Sequence, residues 1–297
     1  MSSPQAIFVS DVHLSHRPPR LRADEPDWYA AMLRPLRDLR ILKSKLKVPI
    51  IYAGDIFDHW KSLPELINFA MEALPPGYAV PGQHDLPNHS YEDIERSAYW
   101  TLVEGGVLVN LEPGKSYEVG NLELFGFPWG HQLTKCPYRS NFVTIAVVHE
   151  YCWHGKHKYL TAPPSNHVSQ FETAGYDAAV FGDNHQGFIN GRICNTGGFM
   201  RRHKPDLDRH PFVGVLMNTL DIKEHRLDTA NDIYSLDSED RTQETGSIDI
   251  SKFTDGLKQL PSDGHLDFPT LVDRYCRENE VSSVVRNVIH NAIQEES

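Results

Sequence analysis

Five apolar runs in this chain each give out onto Asp, His or an amide side chain. Ala6–Val9 leads to Ser10-Asp11-Val12-His13, and Val48–Tyr52 leads to Ala53-Gly54-Asp55-Ile56-Phe57-Asp58. Tyr78–Val80 leads to Pro81-Gly82-Gln83-His84-Asp85, Phe142–Val148 to His149, and Ala178–Phe181 to Gly182-Asp183-Asn184-His185. Short apolar runs bounded by turn residues read as buried strands. Open α/β sheets gather their chemistry at the carboxyl ends of such strands. Gly54 lets the backbone leave its strand sharply, with no side chain between the main chain and a ligand. Asp55 follows, and its two oxygens can bridge two cations.

The rest of the chain supplies the frame. Trp28, Met32, Leu36, Leu39 and Leu42 recur at helical spacing, which predicts an amphipathic helix over Asp27–Lys47 with Pro35 as a kink point. Further helices are expected over Pro64–Leu74 and over Tyr91–Glu104, the latter stopped by Gly105-Gly106. From Val107 to Phe127 the alternation and the Pro-Gly and Gly-Asn turns read as antiparallel sheet. Tyr151–Gln170 reads as a long loop over the site. More strands are expected over Arg192–Cys194, Phe212–Met217 and Thr219–Ile222. Two β-rich halves with helices predict an α/β fold, a two-sheet αββα sandwich, over residues 1–227. Residues 228–247 read as an acidic linker, and 248–297, with Phe253, Leu257, Leu260 and Tyr275 at helical spacing, as a small helical appendage.

Composition narrows the function classes. Hydrophobic content of 40% and charged content of 23% are those of a soluble globular protein. No apolar run nears the roughly 20 residues of a membrane helix. Met1–Ala6 lacks the basic and apolar regions of a signal peptide. The four cysteines form no C-x-x-C pair, so a disulfide framework or structural zinc is not expected, and a cytoplasmic setting is. The net charge of −11 argues against duplex binding by bulk charge. It leaves room for a nuclease, because metal ions or a local basic patch can supply the positive field.

The five segments, in order, resemble the calcineurin-like metallophosphoesterase family, whose pattern is D-x-H, G-D-x-x-D, G-N-H-D/E, H and G-H-x-H. The resemblance covers about residues 6 to 200. It implies a first metal held by Asp11, His13, Asp55 and His185, and a second held by Asp55, Gln83, His149 and Asp183. It also implies a bridging hydroxide as the nucleophile, attacking phosphorus in line between cations about 3.5–4 Å apart. By the same resemblance His84 faces the substrate and assists the leaving oxygen, Asp85 steadies the His84 ring, and Asp58 supports a ligand from behind. Two positions depart from the pattern. Gln83 stands where Asn is usual, and Asp183 where His is usual. Both fall on the second metal, which becomes harder and more negative. That favours Mn²⁺, with Mg²⁺, Fe²⁺ or Zn²⁺ as other candidates.

Within the family, Ser10-Asp11-Val12-His13-Leu14 and Gly54-Asp55-Ile56-Phe57-Asp58 are most similar to the SbcD-type DNA repair exonucleases. So is the run Asn195-Thr196-Gly197-Gly198-Phe199-Met200-Arg201-Arg202. This implies a DNA nuclease, with an SMC-like ATPase subunit bound through the C-terminal helices; a homodimer is also compatible. Arg201 and Arg202 are the candidates for phosphate-backbone contact, with His154 and His157 as further substrate contacts. The rival expectations are a small-molecule or nucleotide phosphodiesterase or phosphatase, closed by the Tyr151–Gln170 loop, and a non-catalytic scaffold of the same fold.

Overall fold

The computed structural model describes residues 2–139, 141–156, 166–171 and 174–235. His157, most of the expected linker and the whole expected appendage lie outside these residues. The first sheet contains β1 (Pro4–Val9), β2 (Ile50–Ala53), β3 (Gly77–Val80) and β4 (Leu108–Asn110), paired in parallel in that order. The second contains β5 (Ser116–Val119), β6 (Leu122–Phe127), β7 (Val143–Val148), β8 (Ala178–Phe181), β9 (Phe188–Asn190) and β10 (Ile193–Asn195), in the order β5-β6-β7-β8-β10-β9. The chain then returns to the first sheet. There β11 (Phe212–Met217) pairs antiparallel with β1, and β12 (Ile222–Arg226) completes six strands in each sheet.

Alternation along the strands builds the layers. Phe8, Ile51, Ala53 and Val80 point one way and meet Leu124, Ile145, Val147 and Val180 of the other sheet. Their neighbours Ile7, Val9, Ile50, Tyr52 and Ala79 point the other way, against α1 (Trp28–Leu46), α2 (Pro64–Ala73) and α3 (Ala98–Glu104). On the outer face of the second sheet, Ala146, Val148, Ala179 and Phe181 are covered by Cys152, Val168, Phe171 and Tyr176. α1 starts where its N-cap Asp27 accepts the Ala30 N–H, and ends at Lys47 in the left-handed region. It runs through Pro35 as one helix.

Four expectations need correction. The helix expected over Tyr91–Glu104 is a 3₁₀ segment, Tyr91–Arg96, followed by α3. Ser97 separates them: it is extended, and its hydroxyl caps α3 by accepting from Trp100 N at 3.1 Å. The antiparallel reading of 107–127 holds only for β5–β6, since β4 is parallel to β3 and β6 to β7. The strand expected over Thr219–Ile222 starts at Ile222, after a turn with Leu220 at φ 66°. The linker expected from residue 228 also begins too early. Asp232 pairs with Arg22 at 2.9 Å and Arg34 at 3.0 Å, Tyr234 Oη accepts from Arg201 at 2.9 Å, and Ser235 is buried. Asp232 thereby joins a buried ionic cluster that also contains Glu25.

Candidate metal centre

The carboxyl ends of β1, β2, β3, β7 and β8 converge. The turns after β1 and β2 run side by side, with Asp11 N donating to Gly54 O at 3.1 Å, His13 N to Asp55 O at 2.9 Å and Leu14 N to Ile56 O at 2.9 Å. Four candidate ligands take positive φ there: Asp11 and His13 at 49°, Asp55 at 52° and Asp183 at 73°. Non-glycine residues in that region are uncommon and cluster where a site over-determines the backbone.

One group of donors surrounds His13. Its Nε2 lies 3.0 Å from His185 Nε2, 3.6 Å from Asp55 Oδ2 and 3.9 Å from Asp11 Oδ1, and His185 Nε2 lies 3.8 Å from the same Asp11 oxygen. Ligands about 2.1 Å from a cation sit roughly 3–3.5 Å from one another in tetrahedral or octahedral spheres. A second group surrounds His149. Its Nε2 lies 3.6 Å from Asp55 Oδ2 and 2.6 Å from Gln83 Oε1, while its Nδ1 donates to Ala53 O at 2.6 Å. A backbone carbonyl on the remote nitrogen is the usual way to orient a metal-binding imidazole.

Asp55 joins the two groups. Its Oδ1 accepts His84 N at 3.0 Å, and its Oδ2 is buried with no hydrogen-bond partner. Asp11 Oδ2 is buried in the same condition. Unpaired buried carboxylate oxygens among imidazoles fit a divalent cation, so the residues present suit the metals the fold implies. Glycines make room for this. A side chain on Gly54 would strike the His149 ring, and one on Gly82 would lie 2.6 Å from His149 Nε2 and also meet Asp55.

The fields follow from burial and neighbours. Burial opposes the charge on Asp55, but the His149 and His13 imidazoles hold it well below the usual carboxylate range. Burial likewise opposes a charged His149, yet Asp55 beside it pushes its pKa up to about 10. His185 is driven down to about 4 by burial, so it is a neutral imidazole with a lone pair to offer. Asp183 is pushed up by burial.

Some expected residues stand elsewhere. Asp85 does not touch the His84 ring. Its carboxylate accepts the backbone N–H groups of Ile56 at 3.1 Å, Phe57 at 2.9 Å and Gly82 at 3.0 Å, tying two site loops together. The His84 ring is instead set by its Nδ1, which donates to Asp58 O at 2.8 Å. Asp58 Oδ1 lies 3.4 Å from His13 Nδ1, behind the first group. Arg202 is buried and faces inward, donating to His13 O at 2.8 Å and pairing with Asp58 Oδ1 at 2.7 Å. Arg201 bonds Arg209 O at 2.8 Å and Tyr234 Oη at 2.9 Å. Both guanidinium groups thus have partners within the protein. His154 packs beside His167 and Phe188, outside these donor groups. Sequence reading missed Thr196, whose hydroxyl accepts Ser10 N at 2.9 Å and pins the turn that carries Asp11. It lies in the Asn195–Arg202 run, read there only for its resemblance. A cleft of about 300 Å³ opens beside His149, lined by Trp129, Gly130, His131, Gln132 and Glu150.

The family model for calcineurin-like phosphoesterases matches residues 5–187, more than half of the chain, and the chain belongs to that family. No curated protein matches the chain in sequence. Solved structures similar to it include the calcineurin-like phosphoesterase YfkN from Bacillus subtilis, at 12% identity and a TM-score of 0.43, covering 79% of this chain and 87% of that one. Another is the protein TT1561 of Thermus thermophilus, at 12% identity and a TM-score of 0.44, covering 75% and 99%. A third is the phosphopantetheinyl hydrolase of Mycobacterium tuberculosis, at 12% and 0.39, covering 75% and 96%. Among the described residues no helix is long and apolar enough to cross a membrane.

Proposed function

We propose that this chain is a two-metal phosphodiester hydrolase. The observation that carries the reading is Asp55 Oδ2, buried, without a hydrogen bond, and 3.6 Å from Nε2 of both His13 and His149. Asp11, His13, Asp55 and His185 would hold one divalent cation, and Asp55, Gln83, His149 and Asp183 the other. Bound there, the pair would polarise a phosphoryl group and lower the pKa of an attacking water. The oxygen-rich second set supports Mn²⁺ as the preferred ion. His84 donates from Nδ1 to Asp58 O, which leaves Nε2 facing outward; with the ring doubly protonated, Nε2–H would pass its proton to the departing oxygen and the ring would become neutral. Asp58 and Arg202 hold the His13 ring and its backbone from behind.

The finer reading is a cytoplasmic DNA nuclease of the SbcD type. It rests on the resemblance of the motifs; Arg202 is buried and half-buried Arg201 is bonded to Arg209 O and Tyr234, so these two arginines add little to its support. An SMC-like partner at residues 248–297 belongs to the same reading. The cleft beside His149 favours a second reading, a small or nucleotide phosphodiester whose planar group lies against Trp129. The test is Mn²⁺-dependent hydrolysis of labelled single- and double-stranded DNA beside bis-p-nitrophenyl phosphate. Cleavage of DNA supports the nuclease, and cleavage of the small ester alone supports the pocket enzyme. Inertness toward both, with metal bound, rejects the hydrolase.

A further inference from the structure

The two residues that depart from the family pattern touch each other. Gln83 Nε2 donates to Asp183 Oδ1 at 2.7 Å, while Gln83 Oε1 stands 2.6 Å from His149 Nε2. They come from turns a hundred residues apart in sequence, after β3 and β8. The Asp183 backbone is already fixed: its N–H donates to Asp11 Oδ1 at 3.0 Å and its φ is 73°. Its side-chain torsions are therefore the freedom that remains, and the Gln83 amide is placed to set them. An asparagine at 83 would be one methylene shorter. It could not hold its oxygen beside His149 and its nitrogen on Asp183 at the same time. The carboxylate at 183 supplies the acceptor that a neutral imidazole would offer only in one tautomer.

We propose that Gln83 and Asp183 act as a single matched element of the second cation site. The amide nitrogen orients the carboxylate, so that Gln83 Oε1 and the other Asp183 oxygen are left together for the ion. The inference rests on the two-metal reading and adds which residues are coupled within it. Gln83 is here a positioning residue as well as an oxygen donor. Losing an orienting partner of a metal ligand typically costs about 10–100-fold in metal affinity.

The test is Mn²⁺ binding to the full chain by calorimetry and equilibrium dialysis, which needs no turnover. The variants are Gln83→Asn, Asp183→Glu and the double Gln83→Asn/Asp183→Glu, which keeps every charge and donor type and restores the summed reach of the pair. Wild type should bind two equivalents. Gln83→Asn should weaken the second about 10–100-fold and leave the first unchanged, and the double variant should recover most of that loss. Melting of the metal-free proteins checks that each variant is folded. A double variant no tighter than Gln83→Asn, or a Gln83→Asn protein with an unaltered second equivalent, overturns the coupling while leaving two metals in place. A wild type that takes fewer than two equivalents overturns the two-metal reading itself, and the inference with it.

Discussion

The backbone N–H of His84 donates to Asp55 Oδ1 at 3.0 Å, and this bond decides which oxygen of Asp55 is left for cations. Oδ2 remains buried and without a hydrogen bond. The same contact fixes the main chain of the residue proposed to serve the leaving group. Ligand geometry and proton delivery thus share one anchor.

Asp55→Asn keeps an acceptor for the His84 N–H but replaces the charge shared by both donor groups. Hydrolysis should fall at least about a hundredfold. Binding supplies a second readout. A ligand at about 100 times its Kd adds about 2.7 kcal/mol to the native state. Wild type should therefore melt higher in saturating Mn²⁺ than in EDTA, and Asp55→Asn should show no such shift. An equal shift in both would remove Asp55 from the metal site.

Arg202 braces the turn that carries His13 from within. Its guanidinium pairs with Asp58 at 2.7 Å and donates to His13 O at 2.8 Å. Arg202→Met should destabilise the domain by about 1–3 kcal/mol in urea unfolding, because a buried carbonyl loses its donor. The Asp58 side chain is 38% exposed, so water screens its share of the loss. Arg202→Lys should recover only part, since an ammonium cannot span both acceptors as a planar fork does. A raised KM with unchanged stability would instead place Arg202 on the substrate.

Much of this centre is legible in the chain because strand ends announce themselves. An apolar run followed by Gly-Asp or Asp-x-His marks both the strand and the residue it delivers, and β8 begins and ends where the pattern puts it. What was hidden depends on partners distant in sequence. Arg201-Arg202 reads as a basic surface until Asp58, His13 and Tyr234 are seen around it. Asp232 reads as linker until Arg22 and Arg34 close on it, about two hundred residues away. Ser97 reads as one more residue of a helix, because capping and mid-helix serines look alike until the backbone is known.

Asp85 gives a prediction that separates scaffold from chemistry. It accepts three backbone N–H groups from the turns after β2 and β3. Asp85→Asn presents an NH₂ where an acceptor is needed, so at least one buried N–H loses its partner. Unfolding free energy should drop by about 1–3 kcal/mol. The pH profile of hydrolysis, set by groups at the reacting atoms, should keep its shape. A displaced profile with unchanged stability would return Asp85 to the His84 ring.

The metal-free protein should lose stability in alkali and again below about pH 4, for opposite reasons on the two sides. His149 has a folded pKa of about 10, above its ordinary 6.5, so the native state keeps a proton that the unfolded chain releases. Its contribution is fully present below pH 6.5 and is lost as pH rises toward 10. His185 has a folded pKa of about 4, so the unfolded chain takes up a proton that the native state refuses. Alone, this would lower stability as pH drops from 6.5 toward 4. Asp85, which burial and the neighbouring Asp55 push up to about 6, has the opposite sign and offsets His185 over this range; below pH 4 the depressed Asp55 and Asp58 carry the loss. Urea midpoints in EDTA across this range test both arms. Saturating Mn²⁺ should remove much of the alkaline arm, because an ion on His149 Nε2 takes the place of the proton whose release causes it. An alkaline arm equally steep with and without Mn²⁺ would mean that His149 does not bind the ion.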